Sequence, residues 1–359
     1  MLPYWILFAL PAWLALSSAR PVDLSSSSWS QIWKLFFVFL VLMIGLRYNV
    51  GGDWYTYLDK VQQMRYVSLR QLLTFSGNTE ASYSLLNWIA FNTTFGVYFV
   101  NTACAAFFSW GLIEFCRNQP RPWLAVVVAV PYLIIVVCMG YTRQGTAIGF
   151  AMLGMLALSD QKFFRFVLFI ILAASFHRAS IILFPLAALS HQKNKIWTVS
   201  WVLILSVILY SLFLESSLDR LNHGYVDNKL MSAGAGIRVA MNAVPAIIFL
   251  VNKNRFGLSK NDKIYWMWMS MSSLFFLILL QSSTSSTMVD RLALYMIPLQ
   301  LFVLSRVPEL FGKLSDSNFG LVLAVVVYSA LVLFVWLFFA VHAGAWLPYQ
   351  FYPLVWLTE

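Results

Sequence analysis

The stretch FFRFVLFIILAASFHRASIILFPLAALS, residues 163–190, decides how often this chain crosses a membrane. It is apolar throughout except at its middle, where His177 and Arg178 stand side by side. One continuous helix would put both at the bilayer centre, where the Arg alone costs about 2.5 kcal/mol or more. Two short limbs with the His–Arg pair at their turn avoid that cost. The stretch therefore reads as a hairpin.

Outward from it, further apolar runs lie near 2–18, 31–46, 83–115, 122–140, 143–159, 196–214, 236–252, 264–281, 289–305 and 318–342. A crossing helix needs about 20 mainly apolar residues. The reading is an all-α, polytopic integral membrane protein of about 10–12 membrane segments, some broken or re-entrant. The run at 83–115 is too long for one upright helix, so a short interfacial helix is expected first, with a break near Asn92 to Gly96. Composition agrees: 60% of the 359 residues are hydrophobic and 11% charged, outside the range of soluble domains. Residues 1–359 are read as a single transmembrane domain without a separate soluble catalytic part. The first run ends in small residues but has no basic residue before it, so it reads as an uncleaved span rather than a signal peptide. Cys104, Cys116 and Cys138 have no spacing that suggests a disulfide framework or a zinc site and read as packing residues.

Cytoplasmic loops carry the excess of Lys and Arg. The turns at 116–121, 160–165, 191–195, 253–263 and 306–316 are basic, and they share a side only if 163–190 turns back. With those inside, both termini are outside. The outer stretches 47–82, 215–235 and 282–291, with the tail 343–359, are then expected to form the mouth of a site. The two sides also differ in the kind of base. Lys34, Lys162, Lys193, Lys195, Lys253, Lys260, Lys263 and Lys313 fall inside, whereas outside the Lys are Lys60 and Lys229. The outer side instead holds Arg47, Arg65, Arg70, Arg143, Arg178, Arg220, Arg238 and Arg291. Arg offers a planar fork of donors matched to phosphate, which a topology charge does not require.

Five constellations carry the candidate chemistry. In RYNVGGDWYTY (47–57) the glycine pair allows a sharp turn that points Asp53 back toward Arg47, with Trp54, Tyr55 and Tyr57 as a sugar platform; a solvated loop with an interfacial aromatic belt is the alternative. In MGYTRQG (139–145), Arg143 and Gln144 open a helix whose free N–H groups favour an anion, against the reading of a snorkelling Arg. In SFHRAS (175–180), His177 is a proton-transfer candidate or a hydrogen-bonded structural residue, and Arg178 a phosphate ligand. Arg238 enters a span at AGAGIRVAMN. Asp290 and Arg291 do so at TSSTMVDRLALY, with Tyr295 one turn on; there the alternative is mutual neutralisation at the interface. Five arginines at outer helix ends, on the side where basic residues are disfavoured, point to an anionic substrate.

No metal site is indicated: Asp-x-Asp, HExxH and usefully spaced Cys/His pairs are missing from the sequence. No P-loop or dinucleotide fingerprint is present either, so the substrate is expected to arrive activated, without a cofactor.

In the order and spacing of these motifs, together with Tyr-Thr-Arg-Gln at 141–144, Gly-Ile-Arg at 236–238 and Trp-Leu-Pro-Tyr at 346–349, the chain resembles the Wzy-type repeat-unit polymerases, in the branch that includes EpsG-like proteins. It departs from many relatives in having Gly-Gly-Asp at 51–53 where they have Gly-Thr-Asp. The resemblance implies a GT-C-like helical bundle with an outer-face cavity in the bacterial inner membrane. It also implies transfer of a glycan from undecaprenyl diphosphate to the non-reducing end of a lipid-linked repeat unit on the periplasmic face, without metal. On that reading Asp53, His177 and Asp290 are the candidate bases, Asp53 first. Arg47, Arg143, Gln144, Arg178, Arg238 and Arg291 bind the diphosphate, and Trp54, Tyr57, Tyr141, Tyr295, Trp346 and Tyr349 contact glycan. The expected partners are undecaprenyl-diphosphate-linked glycans, membrane lipids and a Wzz-type chain-length co-polymerase, with no nucleic acid. A lipid-oligosaccharide flippase, and an O-antigen ligase or another polyprenyl-phosphate-dependent glycosyltransferase, are the other classes compatible with an Arg-rich outer mouth.

Overall fold

The computed structural model describes residues 1–17, 30–74, 80–185, 234–282, 286–313 and 317–358. Helices α1 (Leu2–Ser17) and α2 (Gln31–Gly45) lead into a two-residue strand, β1 (Arg47–Tyr48), and a polar segment holding α3 (Trp54–Gln63) and α4 (Leu69–Thr74). The expected break follows: α5 (Ala81–Phe91) stops at Asn92, and α6 (Val97–Arg117) starts after Gly96. Next come α7 (Pro122–Ala129), which widens into a π-helical segment over Val130–Cys138, then α8 (Thr142–Ser159) and α9 (Phe163–Phe176). Beyond the undescribed stretch lie α10 (Ala235–Asn252), α11 (Lys260–Ser282), α12 (Ser286–Ala293), α13 (Ile297–Leu304), α14 (Val307–Phe311) and α15 (Phe319–Phe339). The tail adds β2 (Gln350–Phe351) and α16 (Tyr352–Thr358).

The hairpin at 163–190 is present as far as the chain is described. His177 leaves helical geometry (φ −152°, ψ 111°) and ends α9, and a 3-10 turn over Arg178–Ile182 reverses direction. Phe184 then packs against Phe166 and Phe163, at ring-centroid distances of 6.0 and 6.5 Å, beside the start of α9. The span expected at 196–214, the outer stretch 215–233, Arg220 and Lys229 lie outside the described residues.

Among the described residues five helical spans are long and apolar enough to cross a membrane: α6, α10, α11, the joined α12–α13 and α15. Four shorter apolar helices accompany them: α1, α2, α7 with its π segment, and α9. The chain is an all-α polytopic membrane protein. Its middle consists of α7, α8 and α13, whose residues are almost all buried. α8 fits there because α6 and α8 cross at Gly111 and Gly149, where a Cβ on Gly111 would overlap the Gly149 backbone, so only hydrogen lets the two helices approach this closely. The outer belt shows large apolar side chains, among them Leu35, Val251, Ile278 and Phe338, each more than half exposed. In a membrane bundle such residues face lipid.

Polar contacts divide the bundle into two ends. At one, Arg121 Nε donates to Glu309 Oε1 at 2.7 Å, Arg306 donates to Gln119 and caps the Phe302 ring, and Asn261 donates to Gln161 at 3.0 Å. The basic turns near 119, 161, 261 and 306 thus share this end, as charge alone suggests. At the other end the tail clamps the start of the site. β2 pairs antiparallel with β1 (Arg47 opposite Phe351), the Gly51 N–H donates to the Ala345 carbonyl at 2.8 Å, and the Trp346 indole donates to the Ile135 carbonyl at 2.9 Å. That last bond satisfies a carbonyl in the π-helical segment, which contains Pro131 and was legible only as a continuous apolar run.

Candidate active site

The first turn of α8 is the hub. Arg47 approaches it from the end of α2 and donates to Thr142 Oγ1 at 2.7 Å. Its other donors go to the carbonyls of Val50 (3.2 Å) and Ile44 (2.5 Å), with Asn101 Oδ1 at 3.5 Å, and the side chain is wholly buried. Arg47 therefore closes the C-terminus of α2 and joins α2, α6 and α8. It has no surface for a diphosphate, which corrects the role expected from its position.

Asp53 starts α3, half-buried, after the turn at Gly51. Gly51 has φ +105° and a Cβ there would lie 2.5 Å from the Met139 carbonyl, so the turn that aims Asp53 requires glycine. α3 is amphipathic, with Trp54, Tyr57 and Val61 buried on one face. The Tyr57 hydroxyl accepts the Thr142 backbone N–H at 3.0 Å and sits 3.5 Å from Asp53 Oδ2. Burial, and then the Asp53 carboxylate, hold this phenol above its ordinary pKa range. Lys60, one turn further, is drawn below the usual lysine range by burial and by Arg143, against the pull of Glu80 and Asp53.

Arg143, in the same first turn of α8, donates to Glu80 Oε2 at 2.5 Å and lies over the Tyr83 ring, 5.6 Å from its centroid. Glu80 was not singled out by sequence; it follows a stretch of polar residues, and no spacing rule ties it to a helix more than sixty residues away. His177 Nδ1 is 2.8 Å from the Tyr295 hydroxyl. Arg178 opens the 3-10 turn beside it and is half-buried.

On the other flank Arg238 and Asp290 form a two-pronged ion pair, Nε to Oδ1 at 2.9 Å and Nη2 to Oδ2 at 2.5 Å. The Asp290 carboxylate is thereby engaged by a cation of another helix. Arg291 lies over the Tyr141 ring, 5.7 Å from its centroid, and its backbone carbonyl accepts the Gln144 amide at 2.6 Å. Gln144 is buried and acts on Arg291, not on an open anion site.

The aromatic residues sort differently from the sequence expectation. Trp54 packs against Tyr48 and Tyr98, and Trp54, Tyr57, Tyr295 and Trp346 are 4%, 2%, 0% and 2% exposed, so none offers a ring face to a sugar. The reason is helical period: in α3 it is Tyr55, 68% exposed, that faces out. Tyr349 is half-buried and donates to the Met43 carbonyl at 2.8 Å. Tyr141 is the partly buried ring at the centre, between the Asp53 and Arg238 flanks.

Beside Tyr141 and Arg238 opens a cavity of about 460 Å³, walled by α10, α15 and the π-helical segment and apolar over most of its surface. Among the described residues no group of three or more His, Cys, Asp or Glu side chains comes together as a metal site.

The fold and the site define a multi-pass helical membrane protein in which Arg143, Arg238 and Arg291 lie near Asp53 and Asp290 at one end of the bundle. The chain belongs to the EpsG family, whose model matches residues 31–351. That match agrees with the resemblance carried by the ordered motifs and points to polysaccharide polymerisation. No curated protein and no solved structure matches the chain.

Proposed function

We propose that the protein is a polysaccharide repeat-unit polymerase that moves a growing glycan from undecaprenyl diphosphate onto the non-reducing end of a lipid-linked repeat unit, at the periplasmic face of a bacterial inner membrane. One observation carries the reading: Asp53 is tied through Tyr57 to the same α8 turn that bears Arg143. A carboxylate and a phosphate-type donor thus share one rigid support at the end of a membrane bundle.

In this reading an acceptor sugar hydroxyl attacks the anomeric carbon of the donor glycan. The new glycosidic C–O bond forms as the bond from that carbon to the diphosphate oxygen breaks, and the hydroxyl proton passes to Asp53. Charge develops on the departing diphosphate, where preorganised Arg143, Arg178, Arg238 and Arg291 stabilise it. Of the three candidate bases, Asp290 is held two-pronged by Arg238 and His177 is bound to Tyr295, which supports assigning the proton to Asp53. Asp290 and Gln144 are positioning residues, for Arg238 and Arg291 in turn.

The test is polymerisation by the purified chain with a lipid-diphosphate-linked repeat unit, chelator and no nucleotide. A ladder of longer glycans that Asp53→Asn abolishes supports the assignment. Wild-type protein that makes no ladder but carries the unit across a liposome membrane overturns it in favour of a transporter.

A further inference from the structure

The 460 Å³ cavity is not explained by proton transfer or by phosphate recognition. Along α15 its wall is a stripe of Tyr328, Leu331, Val332, Val335, Trp336 and Phe339, spaced three or one residues apart, which is one face of a helix. From Tyr328 to Phe339 that stripe runs about 16 Å along the helix axis, roughly half the thickness of a hydrocarbon core. The facing wall is Ile237 and Met241 of α10. Among the described lining residues, charge enters at the end shared with the site, through Arg238, next to Tyr141 and the Arg291 that lies over it.

The cleft also opens sideways. Ile237, Leu331 and Val335 on its edges are 66%, 56% and 47% exposed on the belt of apolar side chains that faces lipid. An apolar cleft with a cationic mouth, lined by one helix stripe and edged by side chains of the lipid-facing belt, suits a hydrocarbon chain ending in an anionic group. At the mouth stand Arg238, paired with Asp290, and Arg291, over the Tyr141 ring, both of a chemistry suited to a phosphate.

We propose that this cleft is the tail site of the lipid-linked substrate: it takes the head-proximal part of one polyprenyl chain between α10 and α15 and delivers the diphosphate to Arg238 and Arg291. The proposal rests on the polymerase reading for the identity of the chain, and it adds where the chain lies and how it enters. It assigns substrate binding to Leu331, Val335, Ile237 and Met241, none of which carries polar chemistry.

Binding of labelled undecaprenyl diphosphate to the detergent-purified full chain tests it directly, with inorganic pyrophosphate and excess phosphatidylglycerol as competitors. Val335→Trp and Leu331→Trp fill the cleft from half-exposed positions, so two independent variants guard against a folding defect. Each is expected to weaken undecaprenyl diphosphate binding about tenfold or more while leaving competition by pyrophosphate unchanged. Unchanged binding by both variants overturns the proposal. So does displacement of the label by phosphatidylglycerol as effectively as by unlabelled polyprenyl diphosphate, which makes the cleft a bilayer-lipid site. The polymerase reading fails separately: tail binding that responds to both variants without any glycan ladder leaves the cleft assigned and the reaction wrong.

Discussion

The Tyr57 hydroxyl accepts the backbone N–H of Thr142 at 3.0 Å, which ties the extramembrane helix α3 to the buried first turn of α8. The same oxygen lies 3.5 Å from the Asp53 carboxylate, so one phenol fixes both the helix and the proposed base. Tyr57→Phe keeps the ring packing but strands a buried N–H, a loss of about 1–3 kcal/mol. The expected outcome is a lower melting temperature in detergent together with slower polymerisation. An unchanged melting temperature would show that the bond contributes nothing to the native state.

Arg143 is pinned by Glu80 on one side and rests on the Tyr83 ring on the other, so its guanidinium is preorganised rather than mobile. Removing one such donor typically costs about 10²–10³ in rate. Arg143→Ala is expected to lose the glycan ladder to that extent, and Arg143→Lys to recover only part of it, since a point charge cannot reproduce a planar fork. Glu80→Gln should fall between, because it loosens the arginine without removing it. Measured rates that rank Glu80→Gln below Arg143→Ala would place the chemistry on Glu80 instead.

Much of this arrangement was legible in sequence, and the limits have physical causes. The His177–Arg178 pair revealed the hairpin because a charge at mid-membrane is costly whatever surrounds it. The break at Asn92–Gly96 showed itself through polar residues and glycine in a run too long for one helix. Position at a helix end could not separate Arg47, whose donors are consumed by Ile44, Val50 and Thr142, from arginines left facing the mouth. Nor could it pair Arg238 with Asp290 or Arg143 with Glu80, because those contacts depend on how distant helices pack. Of the expected sugar platform Trp54, Tyr55 and Tyr57, Tyr55 alone faces out, for a local reason: once 54–63 is an amphipathic helix, Trp54 and Tyr57 share its buried face.

The Arg238–Asp290 pair gives a third expectation. Both side chains are largely shielded, 18% and 10% exposed, and removing one partner from such a pair costs toward the lower end of about 3–5 kcal/mol. Asp290→Asn should therefore lower the melting temperature by several degrees and reduce polymerisation in parallel. Asp53→Asn, at a half-buried site, should leave the melting temperature nearly unchanged while abolishing the reaction. The reverse pattern, with Asp290→Asn thermally silent but inactive, would move the proposed base from Asp53 to Asp290.

Gly51 and Gly52 allow a sharper discrimination, because adjacent glycines face different surroundings. A Cβ at Gly51 meets the Met139 carbonyl at 2.5 Å and the backbone there has φ +105°, whereas a Cβ at Gly52 meets nothing within 4 Å. A left-handed conformation alone costs a non-glycine residue about 1–2 kcal/mol, and the carbonyl contact adds to it. Relief would require the loop to shift, which breaks the Gly51 N–H bond to Ala345 that holds the C-terminal tail over the site. Gly51→Ala is thus expected to destabilise the protein by more than that amount and to lose activity with Asp53 misaimed. Gly52→Ala should stay within about 0.5 kcal/mol of wild type in thermal unfolding and keep its glycan ladder. Equal behaviour of the two variants would mean that the turn does not hold Asp53 in place, and with it the geometric case for Asp53 as base would fall.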